Sequence, residues 1–167
     1  VVTPPPPPPP PNDAPVANDD SITINEDVST LVNVLSNDND IQDGKPSIDA
    51  ITSGPSNGAI SIESGQIRYT PNANYFGSDS FTYRVKDSRG DIDTASVSIT
   101  INSVEDNPVA VADSVSVAED GSVLINVIAN DYDVETSVSL NSIGAASNGA
   151  TVIESGKIRY TPTADYF

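Results

Sequence analysis

The sequence contains no Cys, His, Met or Trp, and aromatic residues make up only 5% of its 167 residues. Without Cys no disulfide can stabilise the fold, and without His the side chain that most often acts as a general base is missing. An enzyme would have to rely on carboxylate chemistry alone, so we expect a non-catalytic protein. No apolar run approaches the roughly 20 residues that cross a bilayer, which argues against direct membrane insertion.

Positive charge is also scarce, because 7 Lys and Arg residues stand against 24 Asp and Glu residues, for a formal net charge of −17. A field of this sign repels nucleic acid and anionic lipid. We therefore expect no nucleic-acid partner, and cations become the favoured ligands.

The chain contains a long internal repeat. Residues 57–76 (NGAISIESGQIRYTPNANYF) return as residues 148–167 (NGATVIESGKIRYTPTADYF), and segment 15–40 returns as 108–133. The offset is 93 residues at the start of the unit and 91 near its end, which suits a whole small domain rather than a solenoid repeat.

This repeat predicts one complete domain at 12–105 and a second, incomplete one at 106–167. The second domain lacks the last two strands, because the sequence has no counterpart of 77–101 after Phe167. Neighbouring repeats of the same chain are the expected partners. An unbroken run of eight prolines, Pro4–Pro11, precedes the first domain. At about 3.1 Å per residue it would form a polyproline II rod of about 25 Å, so residues 1–11 are predicted to be a stiff linker.

The first domain has the alternation of β-strands and no helical period. Short runs rich in Val, Ile, Thr and Ser are separated by Asn, Asp and Gly clusters, as in an all-β sandwich. Ser64-Gly65 and Ser155-Gly156 lie between alternating segments and are predicted to form tight hairpin turns. The predicted strands are 20–24, 28–35, 47–53, 58–63, 66–70, 79–87 and 93–102.

The sixth predicted strand carries the strongest indication of a fold. Its alternation places Asp79, Phe81, Tyr83 and Val85 on one face. This spacing resembles strand F of immunoglobulin domains, with Val85 in place of the disulfide Cys. Tyr83 then takes the place of the tyrosine-corner residue, and we predict that its hydroxyl bonds backbone near the turn between the fifth and sixth strands.

Four motifs carry a resemblance to a known family, and they are 37–40 (NDND), 56–59 (SNGA), 69–83 (YTPNANYFGSDSFTY) and 85–87 (VKD). Together they resemble the bacterial cadherin-like and immunoglobulin-like tandem repeats of large adhesins, often called tandem-95 repeats. The resemblance implies an all-β fold of tandem immunoglobulin-like Greek-key β-sandwiches in an extracellular or cell-surface protein. Such repeats commonly serve as calcium-stiffened extender or adhesion modules. Some cadherin-like modules instead bind polysaccharide or cell-surface glycan, so the alternative is a carbohydrate-binding accessory module of a secreted polysaccharide-degrading enzyme.

The acidic loops are candidate Ca²⁺ sites, because Ca²⁺ takes carboxylate and carbonyl oxygens and needs neither His nor Cys. In a sandwich, one set of loops is expected at the junction between the two domains, where cadherin repeats place equivalent ligands. The predicted junction site consists of Glu26, Asp27, Asp79, Glu105, Asp106, Asn107, Asn130, Asp131 and Asp133. A weaker upper site, facing the proline linker, consists of Asn12, Asp13, Asn37, Asp38, Asp40, Asp87 and Asp91. Taken singly, the same Asp and Asn residues are also typical of turns, in which they bond their own backbone.

The sequence also predicts a candidate sugar-binding residue and two ion pairs. Tyr132 replaces Asn39 of the first domain and stands apart from the core aromatics, so it is the candidate sugar-stacking residue. Arg68 and Arg159 are predicted to form cross-strand ion pairs with Glu63 and Glu154, which contribute only tenths of a kcal/mol when exposed.

Overall fold

The structure is a computed structural model that describes residues 4–8 and 10–166. The residues outside these ranges include Pro9 of the predicted proline rod and Phe167 at the end of the second repeat. The chain divides into two compact units, Val1–Val104 and Glu105–Phe167, called unit one and unit two below.

Unit one is a two-sheet sandwich of seven strands. One sheet has the order β1-β7-β6-β3 and the other the order β2-β5-β4. Strands β1 and β7 run parallel, and the other neighbours run antiparallel. The strands are β1 (Asp20–Asn25), β2 (Thr30–Val32), β3 (Ser47–Ser53), β4 (Gly58–Glu63), β5 (Gln66–Pro71), β6 (Gly77–Lys86) and β7 (Ile92–Asn102). The predicted all-β, immunoglobulin-like fold is confirmed.

One predicted strand is too long. Only Thr30–Val32 of the predicted 28–35 pairs as a strand, and a short 3-10 helix, Val34–Ser36, follows. Within the described residues this short turn is the only helical segment of either unit, and no helix there has the length and apolar character that a membrane span requires.

The core of unit one lies between the two sheets. Alternate residues of β6, among them Phe81, Tyr83 and Val85, are buried, as the strand pattern predicted. They join the buried face of β7 and meet Ile67 and Tyr69 of the opposite sheet in one hydrophobic cluster. Together these side chains supply most of the apolar area that stabilises the sandwich.

The predicted tyrosine corner is wrong. The Tyr83 hydroxyl lies 3.2 Å from the Val34 carbonyl oxygen and 3.0 Å from the Asp38 carboxylate, in the loop that follows β2. The ring extends along the strand toward that loop, away from the turn between β5 and β6. At the other end of the core, the Tyr69 hydroxyl donates to Asp79 Oδ2 over 2.8 Å. Burial raises the pKa of both phenols, so both stay protonated donors.

Unit two repeats one sheet of unit one. Strands β8 (Val123–Ile125), β9 (Gly149–Glu154) and β10 (Lys157–Pro162) form a sheet of order β8-β10-β9, in which Leu124 pairs with Arg159 as Leu31 pairs with Arg68.

Both predicted hairpin turns are confirmed. Ser64 and Gly65 have φ of 50° and 78°, and Ser155 and Gly156 have φ of 51° and 75°. Two successive positive φ values are those of the type I′ turn, whose twist matches that of the flanking strands.

Candidate functional site

The candidate ligands of unit one lie at its two ends. The N-terminal pole comprises residues 11–18, the loop 33–46 and the loop 87–91, whereas the C-terminal pole comprises the loop 26–29, the loop 72–76 and residues 103–104. This division follows from strand direction, because β1 and β7 both run from the first pole to the second.

Glu26 is the most deeply buried carboxylate of the C-terminal pole, with 2% of its surface exposed. Its Oε1 accepts a hydrogen bond from the Val104 backbone N–H over 2.7 Å. Its Oε2 is buried and has no hydrogen-bond partner among the described residues. A buried carboxylate oxygen without a donor costs free energy unless a proton or a cation occupies it.

The other two unit-one members of the predicted junction site hold internal hydrogen bonds. Asp27 adopts φ of 59°, as in a turn, and its Oδ1 accepts the Asn74 N–H of another loop over 3.1 Å rather than an N–H of its own turn. The Asp79 carboxylate accepts the Tyr69 hydroxyl and the backbone N–H groups of three further residues, Ser56, Asn57 and Ser80. Burial alone raises the pKa of Asp79, but these hydrogen bonds outweigh it and hold the pKa below its usual value.

At the N-terminal pole, one linker residue joins two carboxylates. Asn12 Nδ2 donates to Asp87 Oδ2 over 2.5 Å and to Asp91 Oδ2 over 2.7 Å. Asp87 Oδ1 accepts three backbone N–H groups of its own loop. The Asn12 Oδ1 atom is buried and has no partner among the described residues, so one oxygen of this group remains available to a ligand.

Asp40 provides a second such oxygen at the N-terminal pole. It is 2% exposed, and its Oδ1 accepts the N–H groups of Gln42 and Asp43. Its Oδ2 is buried without a partner in the part of the chain that the structure describes. Asp13 lies beside the same loop, because its carboxylate accepts the Gln42 side-chain amide over 2.7 Å.

Asn37 and Asp38 serve the structure of the pole. Asp38 accepts the Asn18 N–H through Oδ1 and the Tyr83 hydroxyl through Oδ2. The Asn37 amide donates to the backbone oxygens of Asn18 and Asp19. These two residues therefore fix the loop that carries Asp40.

In unit two, Asp131 and Asp133 repeat the bonding of Asp38 and Asp40. Asp131 Oδ1 accepts the Val111 N–H over 2.7 Å. Asp133 Oδ1 accepts the N–H groups of the two residues that follow Val134, and these bonds lower the pKa of Asp133. Asn130 lies beside the carbonyls of Val111 and Val127, and Asn107 is exposed.

Glu135 is a site residue that the sequence prediction missed. Its Oε2 accepts the Asp106 N–H over 3.1 Å, and its Oε1 is buried without a partner among the described residues. Glu105, next to Asp106, accepts the Thr136 hydroxyl over 3.3 Å. The signal was present in the repeat, because Glu135 is a carboxylate where unit one has the amide of Gln42.

Nowhere in residues 4–8 and 10–166 do three acidic side chains lie close enough together to form a metal site by themselves. Each pole instead offers one or two unpartnered oxygens, to which amide, carbonyl and water oxygens would have to be added. Ca²⁺ accepts all of these ligands, whereas Zn²⁺ prefers His and Cys, which the chain lacks.

The predictions for Tyr132 and for the two ion pairs concern the surface of the chain. Tyr132 is 56% exposed, while its backbone pairs with Val109. The predicted ion pairs are present, since the Arg68 and Arg159 guanidinium groups lie 2.9 Å and 2.5 Å from the carboxylates of Glu63 and Glu154.

The comparisons with known proteins agree with the fold. The family model of the bacterial Ig domain matches residues 12–100 and again 105–167. Protein GAMETE EXPRESSED 2 of Arabidopsis thaliana is 34% identical over 87 residues, which cover 52% of this chain but only 9% of that protein.

The solved structures to which the chain is similar match it at low sequence identity and with TM-scores under 0.5. Repeats EC3-6 of protocadherin gammaB7 are 15% identical, with a TM-score of 0.45, and cover 91% of this chain and 44% of their own. An endo-fucoidan hydrolase from glycoside hydrolase family 107 is 18% identical, with a TM-score of 0.44, over 89% of this chain and 24% of the hydrolase. A chimeric titin Z1Z2 is 13% identical, with a TM-score of 0.34, over 89% of this chain and 81% of its own.

Proposed function

Because the chain belongs to the bacterial Ig domain family, we propose that it is a non-catalytic structural or adhesion module of an extracellular or cell-surface protein. Its repeats would space or present other domains, with the proline run as a stiff spacer. The composition supports this role, since the chain lacks both His and Cys and therefore the commonest bases and nucleophiles.

Ca²⁺ is the proposed cofactor, and the unpartnered Oε2 of the buried Glu26 carries this proposal. A divalent cation would neutralise a carboxylate that otherwise lacks a donor in the interior. Asp40 Oδ2 and Glu135 Oε1 are unpartnered buried carboxylate oxygens elsewhere in the chain, and Asn12 Oδ1 is an unpartnered buried amide oxygen. The remaining predicted ligands, and those of neighbouring repeats, are the proposed source of further oxygens. Ordering the loops around the ion would stiffen the chain of repeats.

The test is a calorimetric Ca²⁺ titration of the full chain after treatment with a chelator, together with thermal melts with and without Ca²⁺. We expect saturable binding with a dissociation constant of about 10⁻⁴–10⁻³ M, as for other extracellular modules, and a higher melting temperature in Ca²⁺. The absence of both effects would contradict the proposal.

Glu26→Gln tests whether the response to Ca²⁺ comes from the Glu26 site or from the negative charge of the chain as a whole. The variant removes a buried charge, so in chelator it should melt at or above the wild-type temperature, whereas in Ca²⁺ it should melt below it. Glu63→Gln, which removes one carboxylate from a half-exposed ion pair, is the matched control and should keep the full Ca²⁺ response. Asp40→Asn and Glu135→Gln test the other two unpartnered carboxylate oxygens in the same way.

The alternative function, a carbohydrate-binding accessory module, is favoured by the exposure of Tyr132. An exposed aromatic ring can stack on a sugar face. Tyr132→Asn, which installs the residue that unit one has at this position, should abolish binding in a glycan screen if the ring is the platform. Equal binding by the variant and the wild type would rule this role out.

A further inference from the structure

The outer face of the sheet β1-β7-β6-β3 is rich in hydroxyl side chains. Its residues align across three strands, so that Ser21, Ser98 and Ser80 form one row. Thr23, Thr100 and Ser78 form the next. Neighbouring hydroxyls are spaced by about 4.8 Å between strands and by about 6.7 Å along a strand.

A shallow depression of about 310 Å³ lies next to these rows along the strands, where Thr82 of β6 pairs with Ser96 of β7. Thr52 and Thr82 share a hydrogen bond of 2.7 Å between their Oγ1 atoms. Ser96 donates to Asp19 Oδ1 from both its backbone N–H and its hydroxyl, each over 2.8 Å. These bonds lower the pKa of Asp19, so the carboxylate is ionised and holds a fixed orientation. The depression is lined by Asp19, Thr52, Thr82, Thr94, Ala95 and Ser96.

This face is electrically balanced in a strongly acidic protein. Arg84 and Lys86 on β6 both bind Asp49, over 2.5 Å and 3.0 Å. With Asp19, the four charged groups sum to zero, whereas the whole chain carries −17. A ligand on this face therefore meets hydroxyls and one carboxylate rather than an excess of negative charge.

We propose that this face binds a neutral polysaccharide, one without sulfate or carboxylate groups, with the depression as its anchoring point. Hydroxyls donate and accept, as sugar hydroxyls do, and an ionised carboxylate accepts strongly from a sugar O–H. The negative charge of the remaining surface repels an anionic polymer.

Among the residues that the structure describes, no aromatic ring lines the depression. A single sugar therefore lacks a stacking surface and binds weakly, and affinity comes from a polymer that follows the hydroxyl rows. This site is distinct from Tyr132 and from the candidate Ca²⁺ oxygens, so it does not depend on the proposed function.

The experiment is affinity electrophoresis of the full chain in gels that contain laminarin, galactomannan, xyloglucan or hydroxyethyl cellulose. Alginate and dextran sulfate serve as anionic comparators. We expect retardation by at least one neutral polymer and none by the anionic ones, both in Ca²⁺ and in chelator. Retardation in neither class, or equally in both, would overturn the proposal.

Paired variants locate the site. Thr52→Val with Thr82→Val removes two hydroxyls from the depression and should weaken binding roughly tenfold, the loss expected for two modest hydrogen bonds. Thr70→Val with Thr161→Val removes two exposed threonine hydroxyls outside this sheet and should leave binding unchanged. Asp19→Asn tests the carboxylate without removing a threonine. If the Thr52→Val/Thr82→Val variant and Asp19→Asn both bind like the wild type, the face is not the site.

Discussion

Units one and two share a sequence pattern, yet among the residues that the structure describes only unit one forms both sheets. In unit one, β1 pairs with β7 and β3 pairs with β6. Residues 113–118 repeat the alternation of β1, but they form no strand, and neither do residues 140–146 at the position of β3. By contrast β8, β9 and β10 form, because each finds its partner within the unit. Alternation of apolar and polar residues thus makes a segment compatible with a strand, but the strand forms only where a neighbouring strand supplies hydrogen bonds.

The same difference appears in the side chains. Ile67 and Tyr69 are fully buried, whereas their counterparts Ile158 and Tyr160 are only partly buried. The sequence of β5 and that of β10 are almost the same, so the second sheet of unit one causes the difference. Each large side chain that gains full burial contributes roughly 1.5–3 kcal/mol.

The largest expected effect comes from adding partner strands to unit two. Appending the sequence of residues 77–102 after Phe167 should turn residues 113–118 and 140–146 into strands and raise the stability of unit two by several kcal/mol, by burying about two or more large side chains. Amide hydrogen exchange measures the gain as slower exchange in these two segments. Unchanged exchange there would show that something other than a missing partner keeps them irregular.

A smaller effect comes from a glycine that both units use. A Cβ at Gly58 would lie 2.6 Å from the Tyr69 ring, and one at Gly149 would lie 2.5 Å from the Tyr160 ring. Tyr69 is fully buried in the core, whereas Tyr160 is only partly buried and its ring can shift more easily. Gly58→Ala should therefore destabilise unit one by roughly 1–3 kcal/mol and cost more than Gly149→Ala costs unit two. Urea denaturation compares them, and equal losses would mean that contact with the neighbouring strand backbone dominates.

Acid sensitivity distinguishes unit one through Asp79, which has no counterpart in the sequence of unit two. Because its folded pKa is lowered, the carboxylate stabilises unit one above its unfolded pKa, and this stability is lost as the pH falls through the folded value. Asp79→Asn should therefore weaken the pH dependence of the free energy of unfolding of unit one between about pH 5 and pH 2. It should also lower that free energy near neutrality by about 1 kcal/mol. Denaturant unfolding at several pH values measures this slope, and an unchanged slope would exclude Asp79 as its source.

The smallest effect concerns the ion pairs that the units share. Arg68 and Arg159 bind Glu63 and Glu154 on half-exposed surfaces. Glu63→Gln and Glu154→Gln should each cost only about 0.2–1 kcal/mol, and less at high salt. A loss above that range in one unit alone would reveal a coupling that the geometry does not show.

The sequence predicted most of unit one because its strands alternate cleanly and its turns contain Gly at positions of positive φ. It overestimated β2, since Val34 and Leu35 look like strand residues but belong to a 3-10 turn. The direction of the Tyr83 ring was not predictable, because alternation fixes the face of a side chain and not its tilt along the strand. The role of Glu135 was not predictable from the sequence, because its burial depends on how its loop folds back on Asp106.

The parallel pairing of β1 with β7 has a mechanical consequence. The chain comes into unit one at the start of β1 and leaves at the end of β7, and six residue pairs join the two strands. A pull on the two ends of the unit therefore slides these strands past each other and loads all of their hydrogen bonds at once, rather than opening them one at a time. A module placed under tension at a cell surface would resist extension through this ladder.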